Sequence, residues 1–85
     1  MGFRRREGLA WQEVDGEGVL VDLDGGRMMG MNRAALLVWS LAPQSDVDGI
    51  AGALARTFDT DAATARRDAA EFLDLLVARG LLLSE

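Results

Sequence analysis

The stretch Arg27-Met28-Met29-Gly30-Met31 is the part of this chain whose residue types are hardest to reduce to core packing. Methionine is flexible and apolar and moulds to irregular partners. Glycine leaves a strand open to close approach by another backbone. Read as a strand, the segment puts Arg27, Met29 and Met31 on one face and Met28 on the other. At a sheet edge its free amides and carbonyls could take an added strand from a partner, with the methionines fitting alternate side chains. Covered on both faces, it would be an ordinary buried strand. The residue pattern alone leaves both readings open.

Other chemistry is scarce. The chain has no histidine, cysteine or tyrosine, and its nine basic residues are all arginine. That inventory lacks thiol and imidazole metal ligands, Cys or His nucleophile systems, Schiff-base lysines and a phenolic acid. Among the 14 carboxylates, Asp15, Glu17, Asp24, Asp46, Asp59 and Asp61 stand at turns and helix starts, where capping explains them. Ser40, Ser45 and Ser84 have no base to activate them. Gly16, Gly18, Gly25 and Gly26 fall in hairpin turns rather than in a phosphate-cradling loop. No catalytic residue, metal site or cofactor is expected.

Two arginine clusters invite an anionic partner. Arg66-Arg67 would open the recognition helix of a winged helix-turn-helix. They are surrounded by Asp59, Asp61, Asp68, Glu71 and Asp74, however, and the whole chain carries a net charge of −5, so a phosphate backbone is repelled. Local pairing of these arginines with Glu71 or Asp74 is the alternative. Arg4-Arg5-Arg6 reads as a flexible, solubilising basic tail over residues 1–8. No apolar run is long enough for a membrane span and no signal core follows the arginines, so the expected compartment is the cytoplasm, with neither membrane nor nucleic acid as partner.

The elements that must position these residues are legible from punctuation and period. With 85 residues, 49% of them apolar, the chain supports one small core, and 9–85 reads as one domain. Leu9 to Val14 and Val19 to Leu23 are predicted strands joined by the glycine-bearing turn at 15–18, and Asp24-Gly25-Gly26 turns the chain into Arg27 to Met31. After Asn32, a good N-cap, the apolar period becomes helical. The predicted helices are Arg33 to Leu41, ended by Pro43; Val47 to Phe58, capped by Ser45 or Asp46; and Ala62 to Arg79, capped by Asp61 and stopped at Gly80. Their expected core faces are Ala35, Leu36, Val38, Trp39 and Ala42; Val47, Ile50, Ala51, Leu54 and Phe58; and Ala65, Ala69, Phe72, Leu73 and Leu76. Trp39 and Trp11 are read as core anchors. Leu81 to Leu83 is expected to pack back as an extended segment. The fold class is α+β: a winged-helix-like, three-stranded antiparallel sheet followed by three helices.

With these elements in order, the run VDGEGVLVDLDGGRMMGMNRAALLVWSLAPQSDVDGIAGALARTF, with the closing FLDLLVARGLL, resembles the PqqD-like family. These are small recognition elements that work beside enzymes modifying ribosomally made peptides. The resemblance runs from about Leu9 to Leu83. It implies a domain that binds the leader segment of a precursor peptide, added antiparallel to Arg27, Met28, Met29, Gly30 and Met31, and facing the third helix at Arg66, Arg67, Ala70, Leu73, Asp74 and Val77. It also implies no chemistry of the domain's own, but presentation of the precursor to a peptide-modifying enzyme such as a radical-SAM protein, a leader protease or a cyclase. The other functions weighed are a small winged-helix DNA-binding regulator and an adaptor that docks two biosynthetic proteins.

Overall fold

The computed structural model describes residues 2–85. In chain order the elements are β1 (Phe3–Arg5), β2 (Leu9–Val14), β3 (Glu17–Asp22), β4 (Arg27–Met31), α1 (Arg33–Leu41), α2 (Val47–Phe58), α3 (Ala62–Ala78) and β5 (Leu82–Ser84). β2, β3 and β4 form an antiparallel sheet in that order, and β1 pairs antiparallel with β5 in a second, two-stranded sheet.

Each helix starts where a side chain can satisfy an otherwise unpaired amide. Asn32 accepts from Ala35 N–H at 2.8 Å, Asp46 from Gly49 N–H at 2.9 Å and Asp61 from Thr64 N–H at 2.7 Å. The second helix thus uses Asp46 rather than Ser45. Gly49 and Gly52 weaken it by roughly 1 kcal/mol each relative to alanine, so its burial of Ile50, Ala51 and Leu54 against the core must hold it.

That core lies between the inner sheet face and the helices. Leu20 and Met31 come from the sheet, Leu36, Val38 and Trp39 from α1, and Ala65, Ala69, Leu73 and Leu76 from α3. Trp39 is fully buried, as its place in the α1 stripe requires. Trp11 corrects the expectation of a second core anchor: it is 42% exposed and meets Trp39 edge-on at 5.5 Å between ring centroids. Phe58 is likewise exposed rather than buried, because it ends α2 beyond the packed turns.

The N-terminal segment departs most from expectation. Residues 1–8 were expected as a flexible tail; residue 1 lies outside the described residues, and Phe3–Arg5 is a strand paired with Leu82–Ser84. Its arginines are engaged. The Arg5 guanidinium lies 4.4 Å from the Trp11 ring centroid and 5.0 Å from that of Trp39, and donates to the Trp39 carbonyl at 2.8 Å. Arg6 donates to the Gly80 carbonyl at 2.8 Å and pairs with Asp22 at 2.9 Å. Cationic side chains over aromatic faces and helix-end carbonyls give this strand an anchor that no hydrophobic period announces.

Candidate functional site

Which backbone groups of β4 are free follows from the first hairpin. Asp15 and Gly16 both have positive φ, 55° and 83°, the mirror-image turn that matches the twist of flanking strands. Such a turn closes on a hydrogen-bonded pair, here Val14 and Glu17. Bonded and non-bonded pairs then alternate, so Gly18, Leu20 and Asp22 aim their N–H and C=O groups at β4, where Met31, Met29 and Arg27 are their partners. The bond from Leu23 N–H to Gly8 O, 2.9 Å on the β2 side, keeps the same alternation. Met28 and Gly30 therefore aim their amides and carbonyls away from β3, along an edge that no described strand covers.

The side chains of β4 divide as the strand period requires. Met31 is buried and Met29 half-buried against the core, whereas Met28 is 74% exposed on the outer face. A Cβ added at Gly30 would meet no atom within 4 Å, so the backbone there is bare. One hollow touches this edge and a second lies beyond its C-terminal end, at the step into α1. The first, of about 290 Å³, is lined by Asp22 as well as by Arg27, Met28, Met29 and Arg79. The other, of about 390 Å³, lies where Asn32, Ala35 and Val38 of the strand-to-helix step face Asp68, Glu71, Phe72 and Leu75 of α3. Asp68, Phe72, Leu75 and Arg79 follow one another at helical spacing on one side of α3. The second wall of the trough is that stripe, and Arg79 touches Met29, its guanidinium 3.6 Å from Sδ.

The α3 positions expected from sequence lie mostly elsewhere. Arg66 is ion-paired with Asp48 of α2, not with Glu71 or Asp74, which turns its side of the helix toward α2. Ala70 and Val77 share that side and are half-buried. Leu73 is 1% exposed and belongs to the core. Asp74 is exposed on the side away from the core, and Arg67 is exposed with its Nε 3.7 Å from Asp68. Arg27, Met28, Met29, Gly30 and Met31 are brought together as one strand; the six helix positions are not brought to its edge.

Phe72 was the missed signal. Its spacing assigns it to the core stripe, but it stays half-exposed and floors the trough with Ala35 and Leu75. An aromatic at the margin of an apolar stripe, flanked by Glu71 and Asp68, was the available clue. The trough is an apolar strip beside a row of unpaired backbone groups, with charges at its ends. Such a site can hold an extended chain by main-chain hydrogen bonds and choose it by side chain. Among the described residues no cluster of metal-ligating side chains occurs, and no helix is long and apolar enough to cross a membrane.

The chain is similar to proteins of known family and structure. The family model described as coenzyme PQQ synthesis protein D (PqqD) matches residues 17–82. Among solved structures, TbiB1 in complex with the TbiA(beta) leader peptide is similar at a TM-score of 0.85 and 25% identity, covering 96% of this chain and 96% of that one. Lasso peptide synthetase B1 complexed with the leader peptide is similar at a TM-score of 0.84 and 26% identity, covering 99% and 100%. No curated protein sequence matches the chain.

Proposed function

The chain belongs to the PqqD family, and we propose that it binds the leader segment of a ribosomally made precursor peptide by strand addition at β4 and presents that precursor to a peptide-modifying enzyme. The observation that carries this reading is the open β4 edge, with Met28 and Gly30 free to pair and Arg79, just past the end of α3, against Met29. The structural neighbours are leader-peptide complexes, which supports the same use of this fold.

Main-chain pairing supplies affinity that tolerates sequence change, because every residue but proline offers the same N–H and C=O. Selection comes from the leader side chains that alternate into the trough, against Met29, Phe72 and Leu75. Holding the leader raises the effective concentration of the attached core peptide at an enzyme that binds this domain. We assign the domain no bond-making step of its own. The partner enzyme fits a radical-SAM protein, a leader protease or a cyclase, meeting the precursor in the cytoplasm where it is made.

A winged-helix regulator is disfavoured by the same structure. Arg66 is tied to α2, Arg67 sits against Asp68, and the −5 net charge opposes phosphate contacts. The test is a titration of the isotope-labelled chain with synthetic leader peptides of ribosomally made precursors. Amides of Met28 and Gly30 should shift together with those of Phe72 and Leu75. Shifts confined to the β2–β3 hairpin or to α2 would refute the groove.

A further inference from the structure

We propose that the trough reads the order of charge along the peptide: a basic residue toward the peptide's N-terminal end, against Asp68 and Glu71, and an acidic residue toward its C-terminal end, against Arg27 and Arg79. This rests on strand addition at β4.

The two walls fix the geometry. Arg79 touches Met29, whereas Asp68 and Glu71 share their hollow with Asn32 and Ala35, so β4 and α3 run in opposite directions. Five β residues span about 17 Å, and the eleven-residue step from Asp68 to Arg79 spans about 16 Å of helix. The charged ends are thus farther apart than the Debye length of about 8 Å at physiological salt, and each acts on its own part of the peptide. A strand added antiparallel, the better-bonded arrangement, starts beside Asn32 and ends beside Arg27.

The charges at each end are available. Among the described residues Arg27 and Arg79 make no ion pair, and Asp22, which lines the same hollow across the ladder from Arg27, has its charge met by Arg6 at 2.9 Å and by Gly25 N–H at 3.0 Å. Glu71 makes no ion pair among the described residues, and Asp68 meets only the Arg67 Nε at 3.7 Å. Between the ends the lining is apolar, which weakens solvent screening for a peptide seated on it. A peptide of reversed order meets like charge at both ends. With exposed pairs contributing little each, matched and reversed peptides of equal composition should differ roughly tenfold in affinity.

The experiment selects binders from a random displayed peptide library on the full chain, then compares two synthetic peptides of identical composition, basic-apolar-acidic and its reverse. Because the domain carries net charge −5, net basic peptides are favoured wherever their charges lie, so order rather than composition is the readout. Enriched peptides should place Lys or Arg before the apolar segment and Asp or Glu after it. The Arg27→Gln/Arg79→Gln variant should lose the acidic preference while keeping the basic one, and Glu71→Gln should weaken the basic one. Enrichment without charge order, or in the reverse order, overturns the proposal while leaving strand addition intact. Peptides that bind a folded Met28→Pro variant as well as the parent, or no enrichment at all, overturn strand addition and this inference with it.

Discussion

β2 and β4 are the two outer strands of one sheet, six and five residues long, and among the described residues each leaves one row of N–H and C=O groups without a strand beside it. On β2 those groups belong to Leu9, Trp11 and Glu13, since Ala10, Gln12 and Val14 bond to β3 by the alternation set at the hairpin. Glu13 puts a charge in that row, a common device against unwanted pairing. Trp11 is engaged by Arg5 and Trp39. On β4 the free groups belong to Met28 and Gly30, uncharged and bare, and a helix stripe stands alongside. Both strands are edges with a helix nearby, since Glu13 of β2 shares a hollow of about 270 Å³ with Arg33, Leu37 and Ser40 of α1. What differs among the described residues is the row itself, charged at Glu13 on β2 and uncharged at Met28 and Gly30 on β4.

The largest test removes what both edges share. Trp39 is fully buried, packs against Trp11 of β2, and sits in the helix whose first turn lines the β4 trough. Trp39→Ala should cost about 3–5 kcal/mol, lowering Tm by more than about 10 °C in thermal unfolding. A shift of only a few degrees would show that the two sides of the sheet are held independently.

Proline substitutions separate the edges. Met29 bonds to Leu20 in the ladder, so Met29→Pro should destabilise the fold by about 1–3 kcal/mol. Met28→Pro removes an amide from the open edge and should leave the fold near parental stability while leader affinity falls roughly tenfold. Glu13→Pro does the same to the β2 edge and should leave leader binding unchanged. Calorimetric titration of the three variants decides it: loss of binding in Glu13→Pro, with Met28→Pro unaffected, would exchange the roles of the two strands.

This contrast was only half legible in the sequence. Glycine turns and Asn32 delimit Arg27–Met31 and Arg33–Leu41, and the strand period separates Met28 from Met29 and Met31. The free amides needed the register, which depends on positive φ at Asp15 and Gly16 and not on any apolar pattern. The helix wall was harder to read. Arg66, Ala70 and Val77 lie on the α2 side because α3 is rotated by its packing on Ala65, Ala69, Leu73 and Leu76, a tertiary fact. β1 is three residues long and pairs with the far end of the chain, so no local period marks it.

A smaller effect tests the junction between edge and wall. The Asn32 side chain caps α1 and lines the trough. Asn32→Ala should cost about 1 kcal/mol of stability with only a slight loss of leader affinity. Asn32→Asp, which keeps the cap, should restore stability in chemical denaturation. Failure of the aspartate to restore it would mean that the Asn32 side chain does not stabilise α1 by accepting from Ala35 N–H.

The two strand turns should also answer acid differently, and this is the smallest effect expected. The β2–β3 turn is shaped by the backbone of Asp15 and Gly16. The β3–β4 turn is tied by the Asp22 carboxylate, which accepts from Asp24 N–H at 3.1 Å and Gly25 N–H at 3.0 Å and pairs with Arg6. The Gly25 amide, followed by Arg6, holds the Asp22 carboxyl below its ordinary value of 3.8. A folded-state value below the unfolded one means that Asp22 contributes its stabilisation fully above about pH 3.8 and loses it as pH falls through the lower folded value. Amide spectra followed into acid should therefore show Asp24 and Gly25 moving together, with a midpoint below 3.8. Asp22→Asn should abolish that transition. Because Asp22 stands opposite Arg27 in the ladder, the start of β4 should loosen with it while the Val14–Glu17 closure persists. A Gly25 midpoint at or above the ordinary carboxylate value would mean that Asp22 does not hold the turn, and that both hairpins rest on backbone geometry alone.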